Sequence, residues 1–231
     1  MKGVTILIPA YKPVSLLQTC VDSIIETTDL TNTDVLVVLN GSDKESLMYL
    51  IGLDNPAIKF VWHSEALGFT KATNMGLKMI TTPYILLMNT DVKLLNYWPK
   101  NKWLDELINP LKQDSNTAVT GVAPMTFLHK IYFPFFCVGL SRDIMVKMDY
   151  LDEAFSPGYG EDLDYCLRIQ KAGYKQKLVE TDAVADHDKK IYTSTYPIYH
   201  PGQGSFKEVG PELASRGYHI VVNKHFPSEV S

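Results

Sequence analysis

Three acidic side chains follow a glycine-rich turn in the second half of the chain. Residues 158–164 read Gly-Tyr-Gly-Glu-Asp-Leu-Asp, and a helical pattern begins at Glu161. Asp164 is explained by helix capping and by an ion pair with Arg168, four residues later. Capping explains the other two acids less well, because a cap needs one acid rather than two. A carboxylate held ionised at such a point can act as a general base, so Asp162 and Glu161 are the candidate catalytic residues.

A further carboxylate comes directly after a buried apolar run. Residues Tyr84–Met88 are continuously apolar, and Asn89, Thr90 and Asp91 follow them. Hard divalent cations bind oxygen ligands, and Mg²⁺ or Mn²⁺ often uses one or two carboxylates together with substrate phosphates. Asp91 is therefore a candidate ligand of such a cation. A turn or a helix cap would suit the same three residues equally well, so this motif alone leaves both interpretations open.

Two other segments have side chains that could bind a nucleotide. Gly68 and Gly76 bracket Lys71, so a loop entering a helix could offer backbone N–H groups and one point charge to a diphosphate. A lysine on a solvated helix face is the more common situation. Tyr11 follows the first strand and could stack on a nucleobase, with Pro9 stiffening the turn. An edge aromatic packed on the core is an equally good interpretation.

One histidine could add to a metal site. His187 follows Val184-Ala185-Asp186, and imidazole is a common metal ligand. A lone histidine is more often structural, and His187 gains weight only because a metal is already suspected from Asp91. The other five histidines have no such support.

The first half of the chain alternates strand-like and helix-like segments. Short apolar runs predict strands at Val4–Ile8, Val35–Leu39, Ile58–His63 and Tyr84–Met88. Apolar residues at helical spacing from Leu16 to Ile25, and the segment Thr70–Ile80, predict helices between them. Such β–α units predict an α/β fold with a mostly parallel central sheet and helices on both faces. Ligands of such sheets bind beyond the carboxyl ends of the strands.

The second half has a less regular pattern. Helices are predicted at Lys102–Lys112, Arg142–Met148 and Glu161–Ala172, and strands at Ala118–Pro124, Tyr132–Leu140 and Tyr218–Asn223. Residues 188–210 are rich in Pro, Gly, Tyr and His and are interpreted as a loop-rich candidate lid.

Composition limits the classes of function. The chain has 231 residues and a net charge of −4, and its Lys and Arg residues are scattered, which argues against a nucleic-acid binder. Three cysteines in apolar contexts indicate buried thiols in a reducing compartment. No segment approaches the roughly 18 apolar residues of a transmembrane helix. We therefore expect a cytoplasmic protein without a transmembrane segment.

Taken in order, five segments resemble the family 2 glycosyltransferases, which have the GT-A fold. They are Ile6-Leu7-Ile8-Pro9-Ala10-Tyr11, Val37-Val38-Leu39-Asn40-Gly41-Ser42, 67–76 (LGFTKATNMG), 84–92 and 159–168 (YGEDLDYCLR) followed by Ala172-Gly173-Tyr174. The resemblance covers about residues 4 to 187, and the last segment is the most specific. It implies a single GT-A domain over 1–231, with a nucleotide-binding half (1–95), an acceptor and catalytic half (96–187) and the C-terminal segment 188–231.

The resemblance implies a donor-binding set composed of Pro9, Ala10, Tyr11, Leu39, Asn40, Lys71, Asn74, Asn89 and Thr90. Tyr11 would contact a uracil-like base, and Lys71 and Asn74 would lie near the nucleotide and diphosphate. The donor implied is a UDP-hexose, UDP-glucose by default.

The resemblance also implies the catalytic and metal-binding roles. Asp91 would bind Mn²⁺ or Mg²⁺, and His187 resembles the family's late metal ligand. Asp162 would be the base in an inverting transfer to a hydroxyl of a saccharide or another acceptor, with Glu161 beside it.

Two departures from the family pattern keep an alternative open. Leu39 stands where the family usually has an aspartate that holds the base, and Asn89 stands where the metal motif has its first acid. A non-catalytic or weakly active sugar-nucleotide-binding module would tolerate both changes, although the Glu161-Asp162 pair argues against it. A nucleotidyltransferase would usually have a Gly-rich basic loop after the first strand, where this chain has Ala10-Tyr11-Lys12-Pro13.

Overall fold

The computed structural model describes residues 2–179, 184–186, 191–193, 196–201 and 210–227. Within these ranges the strands are β1 (Val4–Ala10), β2 (Thr33–Asn40), β3 (Ile58–His63), β4 (Tyr84–Met88), β5 (Lys93–Leu94), β6 (Thr117–Gly121), β7 (Met125–Phe127), β8 (Lys130–Tyr132), β9 (Cys137–Ser141), β10 (Lys175–Leu178), β11 (Val184–Asp186), β12 (Ile191–Thr193) and β13 (Ile198–Tyr199). The helices are α1 (Val14–Thr27), α2 (Lys44–Gly52), α3 (Phe69–Met79), α4 (Lys102–Gln113), α5 (Arg142–Lys147), α6 (Glu161–Lys171) and α7 (Gly210–His225).

Seven of the described strands form one central sheet, in the order β10-β6-β9-β4-β1-β2-β3. Strands β1 to β4 are parallel, while β9 runs antiparallel between β4 and β6. Three small two-stranded pairs accompany the sheet: β5 with β13, β7 with β8, and β11 with β12. This mostly parallel α/β architecture confirms the fold class predicted from the sequence.

The alternation of side chains along the strands produces a core on both faces of the sheet. Every residue of β1 is buried. Ile6 and Ile8 pack in one cluster with Leu17 of α1, whereas Leu7 packs in a second cluster with Leu77 of α3. Because successive side chains of a strand point to opposite faces, a continuous apolar run is what a strand covered on both faces requires.

The ends of several elements meet at one edge of this sheet. The carboxyl ends of β1, β2 and β4 lie there, and Met88 at the end of β4 is paired with Cys137 at the start of β9. The segment before β9 therefore reaches the same edge as the turn after β4. This arrangement positions the site described below.

Two predicted strands are wrong. The predicted strand Tyr132–Leu140 is divided into β8 and β9, and Pro134 lies between them. Proline cannot donate to a sheet ladder, so the aromatic segment around it leaves the sheet. The predicted strand Tyr218–Asn223 lies inside helix α7, where Gly217 and Val221 are buried at a spacing of four residues. A short apolar run does not distinguish the two periodicities.

The predicted lid at 188–210 contains β12 and β13 where the chain is described. The N-terminal strands and helices agree with their predictions to within a few residues. Within the described ranges, every helix is too short or too polar to span a lipid bilayer.

Candidate active site

A cavity of about 380 Å³ opens at the carboxyl edge of the sheet. The turn after β4 contributes Asn89, Thr90 and Asp91 to its lining, and the start of α6 contributes Glu161 and Asp162. The candidate metal ligand and the candidate base, 71 residues apart in the numbering, therefore face one shared space.

The Asp91 end of the cavity has one carboxylate and one imidazole that could contact a cation. Asp91 is 8% exposed, and no described residue donates a hydrogen bond to its Oδ1 atom. Nε2 of His200 lies 3.3 Å from that oxygen. A buried carboxylate oxygen without a donor is costly, and a divalent cation would satisfy it. The described residues supply no third His, Cys, Asp or Glu to this pair.

His200 reaches Asp91 through a contact between distant parts of the chain. It follows β13, whose residues Ile198 and Tyr199 pair with β5, two residues beyond Asp91. Its ring stacks on Phe136 with centroids 4.3 Å apart and planes inclined by 5°. Sequence reasoning found no role for His200, because nothing local indicates this pairing. His187, the predicted metal ligand, lies outside the described residues.

The acid pair lies at the first turn of α6, which begins after an unusual backbone turn. Tyr159 and Gly160 have φ values of +75° and +96°. A side chain at Gly160 would also approach the Phe155 ring to 3.0 Å, so this position requires glycine. Glu161 is 5% exposed, and none of the described residues donates to its Oε2 atom. Asp162 accepts a hydrogen bond of 2.7 Å from the backbone N–H of Leu163.

Burial raises the pKa values of both acids. Burial, reinforced by the charge of Asp162, raises the pKa of Glu161 to about 8. Burial also raises the pKa of Asp162, to about 6, against the opposing backbone hydrogen bonds from Leu163 and Phe135. Near neutral pH the pair therefore retains one proton between its two carboxyl groups, and the other carboxyl group is ionised. A carboxylate with a pKa near the working pH is well suited to accept a proton.

Asp164 belongs to a different, structural cluster. It is fully buried, and it forms the expected ion pair with Arg168 at 2.8 Å. Lys224 and His225 of α7 also lie 2.8 Å from its Oδ1 atom. Burial alone would raise the pKa of Asp164, but hydrogen bonds from Lys224, His225 and Arg168 lower it overall. This cluster ties α7 to α6.

Five predicted donor-binding residues line the cavity: Pro9, Tyr11, Asn40, Asn89 and Thr90. Asn40 also holds the loop before α3, because its amide donates to the Gly68 carbonyl at 3.2 Å and accepts from the Leu67 N–H at 2.5 Å.

Four other predicted donor-binding side chains lie away from this lining. Leu39 and Ala10 are 0% and 2% exposed within the apolar core. Lys71 is exposed on α3. The Asn74 amide donates to the Leu151 carbonyl at 2.8 Å and to Glu153 at 3.1 Å, and it accepts from the Leu151 N–H. These hydrogen bonds connect Asn74 of α3 to the segment before α6, which explains its position.

Six further side chains, four of them aromatic, form another wall of the cavity. Its members are Met125, Tyr132, Pro134, Phe135, Tyr159 and Tyr218. The segments 127–137 and 188–210 are expected from the sequence to shape the acceptor side, and Tyr132, Pro134 and Phe135 of the first segment line the cavity. Tyr218 could not be recognised, since its segment was interpreted as a strand.

Solved structures share this fold. A mannosyltransferase, PcManGT from Pyrobaculum calidifontis, in complex with GDP-Man and Mn²⁺, superposes with a TM-score of 0.63 at 17% identity over 76% of this chain and 54% of its own. GalNAc-T7 with UDP, GalNAc and Mn²⁺ superposes with a TM-score of 0.64 at 13% identity over 77% of this chain and 42% of its own. The chain thus spans about half the length of these proteins. No curated protein matches it in sequence.

A family profile gives the assignment that the fold alone does not. The profile described as Glycosyl transferase family 2 matches residues 5–132, which is more than half of the chain. The matched region includes the strands and turns that carry Tyr11, Asn40 and Asp91, and it ends before the acid pair. The chain therefore belongs to glycosyl transferase family 2.

Proposed function

We propose that this protein transfers a hexose from a nucleotide diphosphate to an acceptor hydroxyl, with inversion and with the help of a divalent cation. The observation that carries the proposal is the shared cavity: a buried, under-satisfied carboxylate lines one part of it and an ionised acid lines another. This is the pairing that metal-assisted group transfer needs.

Asp91 and His200 are the residues that would hold the cation. Both solved structures named above contain Mn²⁺ together with a nucleotide, GDP-Man in one case and UDP in the other. Mn²⁺ or Mg²⁺ bound at Asp91 would neutralise negative charge on the departing diphosphate. Tyr11, Asn40, Asn89 and Thr90 are the candidate contacts to the nucleotide. UDP-glucose is the first donor to test, and GDP-mannose the second.

Asp162 is the base in this proposal. Its carboxylate removes the proton from the acceptor hydroxyl while that oxygen forms a bond to the anomeric carbon. The bond from the anomeric carbon to the diphosphate breaks on the opposite face, so the configuration inverts. In this proposal Glu161 keeps the proton that the pair shares near neutral pH, so it can donate a hydrogen bond within the same site without adding a second negative charge.

A non-catalytic nucleotide-sugar-binding module is the second candidate. The buried position of Leu39 and the single carboxylate among residues 89–91 favour it. A module would bind the donor with Mn²⁺ but would never release the nucleoside diphosphate.

Donor turnover separates the two candidates. UDP-glucose, UDP-galactose, UDP-N-acetylglucosamine and GDP-mannose are each incubated with the protein and Mn²⁺, and the released nucleoside diphosphate is measured. We expect slow release from one donor, abolished by EDTA. Binding of a donor without release under any condition would favour the module, and absence of both would contradict the proposal.

A further inference from the structure

The wall of the cavity near Asp162 is built from two elements. Met125 of β7 and Tyr132 of β8 are direct cross-strand neighbours in a hairpin, and the Tyr132 hydroxyl lies 3.6 Å from the Met125 sulfur. Tyr218 of α7 provides the other side. Burial raises the pKa of Tyr132, and the nearby charge of Asp162 and the Tyr218 hydroxyl raise it further. Tyr132 therefore lies near the proposed base, and Met125 and Tyr218 are direct neighbours of Tyr132.

Tyr218 packs against a second aromatic ring and keeps part of its surface exposed. Its ring stacks on Phe127 with centroids 5.2 Å apart and planes inclined by 11°, while 37% of the residue is exposed. A stacked aromatic ring loses little further entropy when a ligand binds to it, because its orientation is already fixed. Such a ring offers an apolar face together with a hydroxyl group.

The charge of the lining restricts what can bind here. Among the described residues of the cavity none is Lys or Arg, whereas Asp91, Glu161 and Asp162 are all present. Within the described part of the lining, a phosphate or carboxylate on the acceptor would therefore meet the ionised Asp162 without a Lys or Arg beside it, and burying an unpaired charge is costly. A neutral molecule with many hydroxyl groups avoids this cost.

We infer that Met125, Tyr132 and Tyr218 form the acceptor subsite, and that the acceptor is a neutral saccharide whose sugar ring lies against Tyr218. The inference rests on the proposed function, because it takes Asp162 as the base. The aromatic face contacts the C–H face of the sugar ring. The Tyr132 and Tyr218 hydroxyls and the protonated Glu161 supply hydrogen bonds to its hydroxyl groups.

Saturation-transfer NMR on the whole protein with Mn²⁺ and UDP or GDP tests this directly. The probes are methyl β-D-glucopyranoside, methyl α-D-mannopyranoside and cellobiose, with glucose 6-phosphate as the anionic counterpart. We expect transfer to the ring C–H protons of at least one neutral probe and weaker binding of the phosphate. In Tyr218→Ala the affinity for that probe should fall about tenfold, while Tyr218→Phe should retain most of it.

Two further variants keep the result interpretable. His219→Ala is the matched control on the same helix, since His219 is exposed and its ring contacts the Ser215 carbonyl one turn earlier; this variant should bind the probe as wild type does. Met125 is 40% exposed, so Met125→Ala should fold normally and weaken probe binding about threefold. Unchanged binding in both Tyr218→Ala and Met125→Ala would overturn the inference, as would tighter binding of glucose 6-phosphate.

Nucleotide binding measured in the same samples distinguishes the two levels of failure. Mn²⁺-dependent stabilisation by UDP or GDP, with no contact to any neutral saccharide, would overturn the acceptor assignment alone. Absence of any nucleotide effect would contradict the proposed function, and the acceptor inference would fall with it.

Discussion

At the scale of single residues, the site depends on two acids that are adjacent in sequence and differ in protonation. Burial raises the pKa of both, but Glu161 more than Asp162. When two neighbouring acids share one proton, the two pKa values belong to the pair. The proposed mechanism places that proton on Glu161, which leaves Asp162 available to accept the proton of an acceptor hydroxyl near neutral pH.

The first prediction concerns the base. Asp162→Asn should lower kcat for transfer about a thousandfold, because a general base contributes about a hundred- to ten-thousandfold, and it should leave donor affinity unchanged. The measurement is release of nucleoside diphosphate with saturating donor and acceptor. Asp105→Asn, in the first turn of α4 and exposed, is the matched control. Near-normal turnover of Asp162→Asn would refute the assignment.

The second prediction concerns the metal ligands. His200→Ala should weaken Mn²⁺ binding in the presence of UDP at least tenfold, since even the outer-shell partners of metal sites contribute 10- to 100-fold to affinity. Manganese titration followed by electron paramagnetic resonance measures this. His187→Ala is the informative comparison, because His187 was the ligand expected from sequence. Loss of Mn²⁺ binding in His187→Ala, with unchanged binding in His200→Ala, would show that His187 and not His200 is the metal ligand.

At the scale of elements, α7 contacts the segment that begins the catalytic helix. Gly217 lies directly against the backbone of Tyr159, and a Cβ atom at this position would come within 2.1 Å of the Tyr159 carbonyl oxygen. Arg216 donates a 3.0 Å hydrogen bond to the Phe155 carbonyl, and Lys224 also pairs with Asp152. Helix α7 therefore supports the turn that presents Glu161 and Asp162.

The third prediction follows from this close approach. Gly217→Ala should destabilise the protein by about 1–3 kcal/mol, the usual cost of overpacking, and should raise the acceptor KM more than the donor KM. Thermal unfolding and steady-state kinetics measure the two effects. Gly52→Ala is the control, because a Cβ atom at Gly52 would meet nothing within 4 Å. Equal behaviour of the two variants would show that the packing of α7 on Tyr159 has no role.

The elements also show which structural features can be predicted from sequence. Strands β1 to β4 and helices α1 and α3 were predicted correctly, because buried apolar runs and amphipathic stripes are local signals. The antiparallel insertion of β9, the helical state of 218–223 and the position of His200 were not. The insertion of β9 and the position of His200 depend on contacts between distant segments, such as the pairing of β13 with β5, and leave no local pattern. The apolar run at 218–223 is too short to distinguish a helix from a strand.

At the scale of the whole molecule, the buried acids make stability depend on pH in two opposite ways. Glu161 and Asp162 have pKa values that are raised in the folded state. Between their ordinary and raised values the folded state therefore binds more protons than the unfolded state, and stability falls as pH rises. Asp164 has a lowered pKa, so its contribution is present above its ordinary pKa and is lost as pH falls.

The fourth prediction tests this linkage. Between pH 5 and pH 8.5, the double variant Glu161→Gln with Asp162→Asn should lose less stability than wild type, because it lacks the two carboxyl groups whose pKa values are raised. The loss of unfolding free energy over this pH range should be smaller in the variant than in wild type by at least about 1.4 kcal/mol, which is the free energy equivalent of one pKa unit. Urea unfolding at a series of pH values, without metal or nucleotide, measures it. Parallel curves for wild type and variant would contradict the raised pKa values.

The central claim is that a cation at Asp91 and a base at Asp162 act on one donor within a shared cavity. The most direct measurement is a crystal structure with Mn²⁺ and a non-hydrolysable analogue of the donor selected by turnover. We predict an anomalous manganese peak in bonding contact with Asp91 and the diphosphate, and a sugar whose anomeric carbon faces Asp162 across the cavity. A diphosphate bound elsewhere, or a sugar remote from Asp162, would contradict the account.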